Sequence, residues 1–221
     1  MNRRPLLAAA VSLLTLSACG DLSNSDASDD RLQIAVVPKG TTHEFWKSVH
    51  AGAEAAARDL GVQVIWKGPI REDDRAEQVQ IVENFVVRGV DGIVLMPMDR
   101  KALVTPAEEA GGQGIPVVVA DSDLDWEGRT SFVATDNRRG GELAGEALAE
   151  MMDGEGSVIL LRYQEGSAST YEREEGFLQA IGEAEGIEVI SSNQYAGATN
   201  EGAYQASENL LNSFKDVDGI F

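Results

Sequence analysis

The 221-residue chain has one cysteine, two histidines, six prolines and only 6% aromatic residues. A lone thiol, Cys19, excludes a disulfide framework and any metal site built on cysteines. His43 and His50 fall seven positions apart, which on one helix is about 10.5 Å, too far to share a zinc ion. Basic residues are scarce: 18 Lys and Arg against 37 Asp and Glu give a net charge of −19, which repels nucleic acid and anionic lipid alike. Enzyme signatures are missing too. There is no G-x-S-x-G elbow and no phosphate-binding loop, and Gly154-x-Gly156 is not continued into a dinucleotide fingerprint. Acidic pairs occur, but none sits in an apolar surround that would mark a raised pKa. A non-enzymatic chain without a cofactor is expected.

The N-terminus is a processing signal rather than part of a fold. Met1–Arg4 is basic, Leu6–Leu16 is an apolar run of eleven residues, and Leu16-Ser17-Ala18-Cys19 follows. Eleven residues are too few to span a bilayer and suit a signal-peptide core. The Leu16–Cys19 run resembles the lipobox of bacterial lipoproteins, which implies cleavage after residue 18 and a lipid on Cys19; the other reading is a buried cysteine. Removing residues 1–18 leaves 16 basic against 37 acidic side chains, a net of −21. The Ser/Asp/Asn-rich stretch that follows, residues 19–31 with Cys19 at its head, reads as a flexible tether.

Beyond it the chain alternates strands and helices. Ile34–Val37 reads as a buried strand. Thr41 and Glu44 fit a capping box, which predicts a helix from that point. Phe45, Val49, Ala53, Ala56 and Leu60 would face the sheet, with Trp46 about 100° round at the rim. Gly61 ends the helix, and Val62–Trp66 is the second strand. Glu72, Asp73 and Asp74 open a second helix with Val79, Val82, Phe85 and Val86 buried. Strand Val90–Leu95, helix Lys101–Ala110 and strand Ile115–Ala120 complete a first α/β unit, residues 32–135, with parallel strands and right-handed crossovers.

A second unit, residues 136–221, carries helices at Arg139–Met152, Thr170–Glu185 and Asn200–Phe214 and strands at Ser157–Leu161 and Ile187–Ser191. Two phrases repeat between the units. Gly61-Val62-Gln63-Val64-Ile65 returns as Gly186-Ile187-Glu188-Val189-Ile190, and Val90-Asp91-Gly92-Ile93 as Val217-Asp218-Gly219-Ile220, at offsets of 125 and 127 residues. Nearly equal offsets predict two lobes of one topology. Because the second repeat lies at the end of the sequence, the second lobe is expected to be incomplete.

In parallel sheets the carboxyl ends of the strands share one edge, where α/β folds bind ligands. That edge would collect Lys39, Thr42 and His43, then Lys67, Asp99, Asp121 and Ser122, beside Phe45 and Trp46. The second lobe would answer with Asn137, Arg162, Tyr163, Ser167, Ser169, Tyr171, Arg173, Asn193 and Gln194. Carboxylate acceptors, cationic and amide donors and flat rings together suit a neutral polyhydroxylated ligand, since each hydroxyl both donates and accepts. Phe45 is equally readable as core. Asp121, Asp123 and Asp125 could only cap turns, and Arg173 could brace its loop on Glu172, Glu174 or Glu175.

With these residues in view, residues 32–221 resemble the periplasmic type I sugar-binding proteins of the ribose-binding kind, which share their core with lac-repressor-type regulators. The carriers are the Phe45-Trp46 opening, Gly89-Val90-Asp91-Gly92-Ile93, Gly114-Ile115-Pro116-Val117-Val118 leading to Asp121, Thr135-Asp136-Asn137 with Gly140-Gly141, and Arg173-Glu174-Glu175-Gly176-Phe177. The resemblance implies a hinge with Thr135–Asn137 at its first crossing and lobes that close on a sugar. It further implies a monomer outside the cytoplasm that hands a sugar or polyol to an ABC permease, the alternative being a sensory module for a membrane kinase or chemoreceptor. Thr42-His43 where relatives often carry Asn, Ser122 where they carry Arg, and Tyr171 where they carry Arg imply a ligand other than simple ribose or galactose. A transcription regulator would need a basic helix-turn-helix before Leu32, where this chain has the signal and the acidic tether.

Overall fold

The computed structural model describes residues 30–221. The signal segment, Cys19 and the tether up to residue 29 lie outside the described residues. Thirteen connections join eight strands and six helices among them. The first sheet contains β1 (Gln33–Val37), β2 (Gln63–Trp66), β3 (Gly92–Leu95), β4 (Val117–Ala120) and β5 (Ser131–Val133), in the parallel order β2-β1-β3-β4-β5. The second contains β6 (Glu155–Arg162), β7 (Gly186–Tyr195) and β8 (Gly219–Ile220), ordered β7-β6-β8. The order β2-β1-β3 is therefore repeated as β7-β6-β8, as the two echoed phrases predict.

The repeat has a physical cause. Asp91 Oδ2 accepts a hydrogen bond from the backbone N–H of Gln33 at 2.7 Å, and Asp218 Oδ2 accepts from that of Ser157 at 2.8 Å. Each Asp satisfies a backbone donor near the start of the first strand of its lobe. The adjoining glycines leave room: a methyl at Gly92 would meet Ile34 Cδ1 at 3.2 Å, and one at Gly219 would meet Met152 Sδ at 3.0 Å.

Helices α1 (Glu44–Leu60), α2 (Arg75–Arg88) and α3 (Val104–Gly112) cover the first sheet. Gly61 and Gly89 end α1 and α2 in the left-handed region, at φ 67° and 69°, where glycine carries no Cβ penalty. The buried stripe of α2 is Ile81, Val82, Phe85 and Val86, joined to β1, β3, β4 and α3 in the main core. The stripe also holds Gln78, fully buried, whose amide donates to Pro38 O at 3.0 Å and Met96 O at 2.9 Å and accepts from Met98 N at 2.9 Å. It pins the exits of β1 and β3, which carry Lys39 and Asp99.

Three expectations are corrected in this lobe. Helix α1 begins at Glu44, capped by His43, whose Nδ1 accepts from Phe45 N. The capping box does not form, because Thr41 Oγ1 donates instead to Pro69 O at 3.1 Å. The helix is also turned relative to the expected phase: Trp46 is 3% exposed and Phe45 50%, and Trp46, Val49 and Ala53 pack on Val36 and Met96. Alanines at 51, 53, 55, 56 and 57 lie on several faces, so periodicity could not choose the phase, and the larger indole takes the sheet. Finally, α2 starts at Arg75 with Asp74 as its cap, accepting from Glu77 N at 2.8 Å, which leaves Glu72 in the preceding loop.

In the second lobe α4 (Asn137–Met151), α5 (Ala168–Gly182) and α6 (Asn200–Ser213) flank the sheet. Helices α4 and α5 approach so closely that a methyl at Gly141 would overlap Arg173 O, and one at Gly176 would overlap Arg138 O. At Gly145 a methyl would lie 2.8 Å from Ala180 Cβ. Strand β5 is an addition to the expected set: three exposed residues carry too short a pattern to read. Strand β7 runs four residues past the expected Ser191, because its polar Ser-Asn-Gln end is an edge paired to β6 across register shifts.

Candidate functional site

Where the two lobes face each other lies a cleft of about 550 Å³. From the first lobe it is lined by Lys39, His43, Phe45, Trp46, Glu72 and Asp121, and from the second by Tyr163, Ser169, Thr170, Arg173 and the Ala196–Asn200 turn, among others. Lys39 leaves β1 and Asp121 leaves β4. Nζ of Lys39 stands 2.9 Å from Oδ2 of Asp121 and 3.1 Å from Oγ of Ser169 on the opposite lobe. Lys39 is 5% exposed, so the ammonium is held by these partners rather than by water. Asp121 adopts φ 63°, a left-handed conformation uncommon for a side-chain-bearing residue and frequent at functional sites. The neighbouring Ser122 is buried, and its Oγ accepts from Ser169 N at 3.0 Å.

Across the cleft Arg173 Nη2 donates to Oδ1 of Asn137 at 2.5 Å, and Asn137 Nδ2 donates to Thr135 O at 3.1 Å. Of the two readings of Arg173, the brace on a neighbouring Glu is not made: Glu172 pairs with Arg138, and Glu174 with Arg162 at 2.8 Å. Burial pushes the Glu174 carboxyl up, against the pull of the Tyr163 N–H and of Arg162. Phe45 meets Trp46 edge to face at 4.8 Å at the cleft rim. His43, with Nδ1 engaged as an acceptor, offers Nε2 as a donor when neutral.

The structure brings Lys39, His43, Phe45, Trp46, Asp121, Tyr163, Ser169 and Arg173 to one cavity and sends the other anticipated residues elsewhere. Ser122 and Asn137 stand behind it, holding Ser169 and Arg173. Thr42 Oγ1 donates to Ile70 O at 3.2 Å, and Lys67 is exposed outside the cleft. Asp99 caps a turn through Lys101 N and Ala102 N and pairs with Arg75 at 3.2 Å. Ser167 and Tyr171 line a separate space of about 70 Å³. Gln194 lies in an open groove of about 880 Å³ between β7 and α6. That groove is larger than the cleft but is lined by no charged side chain, and sites that orient a ligand need convergent polar groups.

Glu72 is the cleft residue that sequence reasoning misplaced. Its Oε1 accepts from Trp46 Nε1 at 2.7 Å and its Oε2 from the Tyr163 hydroxyl at 3.0 Å. Burial raises the Tyr163 phenol above its usual value, and the Glu72 charge raises it further, so the hydroxyl stays a donor. The run of acids at 72–74 reads as a helix start, and only the position of Asp74 as cap frees Glu72 to turn inward.

Two parallel-sheet lobes joined in series, with charged and aromatic groups converging between them, define a two-lobed ligand receptor. Residues 34–221 match the family described as periplasmic binding protein domain, and the chain belongs to that family, in its type I sugar-binding branch. It is 30% identical to the D-ribose/D-allose-binding protein of Pseudomonas aeruginosa over 98% of this chain and 70% of that protein. It is equally 30% identical to the ribose import binding protein RbsB of Escherichia coli, over 100% of this chain and 72% of that one. Among solved structures, a carbohydrate transporter solute-binding protein of Agrobacterium radiobacter in complex with D-arabinose superposes with a TM-score of 0.82 at 31% identity, covering 87% of this chain and 66% of that one. An ABC transporter solute-binding protein of Agrobacterium vitis with bound D-fucose gives 0.81 at 34%, covering 86% and 66%. Members of the family are binding proteins rather than enzymes, and their place of work is outside the cytoplasm.

Proposed function

We propose that this protein is the solute receptor of a carbohydrate importer, binding one neutral sugar or polyol between its lobes and presenting the closed form to an ABC permease. The observation that carries the reading is the convergence of Lys39, Asp121, Ser169 and Arg173 on one cleft rimmed by Phe45, with Asn137 holding Arg173 from behind. Two cations and two carboxylates, counting Glu72, leave the cavity without net charge, which suits an uncharged ligand. The lining offers both donors and acceptors, as sugar hydroxyls require, and the exposed Phe45 ring can cover an apolar C–H face. Relatives named for ribose, allose, arabinose and fucose support the ligand class, and those named for import favour delivery over sensing.

In the same reading the lobes span 32–135 and 136–221, Thr135–Asn137 forms part of the hinge, and the receptor works as a monomer tethered by a lipid on Cys19. Closing a hinge around the ligand gives the permease a distinct state to recognise. A thermal-shift panel of D-ribose, D-allose, D-arabinose, D-fucose, polyols and amino acids tests the ligand class, since a bound ligand raises apparent stability by mass action. A shift with one sugar or polyol and none with amino acids is expected; a shift with amino acids alone would overturn it.

A further inference from the structure

We infer that Glu72 is a clasp between the lobes, a positioning residue that holds the cleft shut and so sets how long a bound molecule stays. The kinetic part of this inference rests on the cleft being the ligand site; the closure itself does not. Glu72 stands in the loop before α2, in the first lobe, and each of its oxygens is taken by a different donor. One is the Trp46 indole, fixed in the core of its own lobe, at 2.7 Å. The other is the Tyr163 hydroxyl at 3.0 Å, on the segment leaving β6 of the second lobe. Among the described residues no Lys, Arg or His forms an ion pair with Glu72, so its charge is held by two neutral donors. Hydrogen bonds to a charged acceptor are the stronger kind.

The clasp is built into the backbone. A methyl at Gly40 would lie 2.7 Å from Glu72 Cγ, so the chain after β1 gives up a side chain where the carboxylate passes. Four further hydrogen bonds join the lobes: Lys39 to Ser169 at 3.1 Å, Ser169 N to Ser122 Oγ at 3.0 Å, Arg100 N to Gly166 O at 2.9 Å, and Arg75 Nη2 to Glu165 O. All four engage α5 or the loop before it. The Glu72–Tyr163 bond alone among these engages the exit of β6, and it alone has a full negative charge as acceptor. Opening the cleft breaks it and leaves Trp46 bonded to Glu72 in place, so the first lobe keeps its binding surface while the second departs.

The test uses the full chain as wild type, Glu72→Gln, Tyr163→Phe and the double variant. Circular dichroism first establishes that each variant is folded; Tyr163→Phe, which loses one oxygen and nothing else, carries the test if the Gln variant is not. Small-angle scattering without ligand should show a larger radius of gyration in each single variant than in wild type. The dissociation rate of whichever of D-ribose, D-allose, D-arabinose and D-fucose the wild type binds should rise roughly 10-fold in each, with no further rise in the double variant. An unchanged ligand-free radius in folded Tyr163→Phe would overturn the clasp, as would single-variant rate effects that multiply. If the wild type binds none of these sugars the ligand reading fails, and the ligand-free scattering still decides the clasp by itself.

Discussion

Lys39 and Asp121 are 82 positions apart in the chain, yet their charged atoms stand 2.9 Å apart in the cleft because β1 and β4 both flank β3 and end on one edge. Truncating one member of such a pair strands the other. Asp121→Ala leaves Lys39 buried and without its anion and is expected to lower unfolding free energy by about 2 kcal/mol, less than a fully enclosed pair would lose because Asp121 is partly exposed. Asp121→Asn tolerates the same left-handed backbone and is expected to lose about half as much. Urea denaturation of the two variants measures both.

Arg173 reaches the cleft only because α4 and α5 touch through glycine. Gly141→Ala is expected to destabilise the fold by more than about 2 kcal/mol, since the new methyl meets the Arg173 carbonyl and the helices must separate. One position earlier, a methyl at Gly140 meets nothing within 4 Å, so Gly140→Ala is expected to stabilise by up to about 1 kcal/mol through helix propensity. Opposite signs at adjacent positions in thermal melts would establish the contact.

Ligand affinity is expected to fall at least roughly 10-fold in Arg173→Ala and in Asn137→Ala. The second side chain is buried beneath the first and fixes its Nη2. Calorimetry with the sugar found in the thermal-shift panel checks this; unchanged affinity in both would move the site away from α5.

Glu174 makes stability depend on pH in a defined direction. Its carboxyl is raised above the ordinary 4.5 by burial, so the folded protein holds that proton more tightly than the unfolded chain. Its contribution is fully present below about pH 4.5 and is lost as pH rises through the raised value. Wild-type stability relative to Glu174→Gln should therefore fall between pH 4.5 and 7.5. Denaturation curves of the pair at several pH values in that window read the difference directly.

If Cys19 carries the lipid, Cys19→Ser should abolish incorporation of labelled palmitate and release the protein from the membrane fraction.

The repeated phrases were enough to read the lobes from the chain, because Val-Asp-Gly-Ile does the same task twice: Asp91 and Asp218 accept from backbone N–H groups near the start of β1 and β6, and the glycines admit their neighbours. Strand ends are also local, so Lys39, Asp121 and Arg173 could be nominated from position alone. The phase of α1 could not, since its alanines leave several faces equally apolar and only the sheet chooses Trp46 over Phe45.

By itself, then, the sequence determined the order of strands and helices apart from β5, the twofold repeat and the edge where polar residues gather, all of which follow from periodicity, turn chemistry and chain connectivity. Tertiary structure alone decided which of those residues meet. Thr42, Lys67, Asp99, Tyr171 and Gln194 occupy strand ends or helix starts like the rest, but their side chains find partners or solvent outside the cleft. Glu72, hidden in an acidic run, turns in because Asp74 takes the cap and Gly40 leaves room. Such choices depend on contacts between segments far apart in the chain, and no local pattern encodes them.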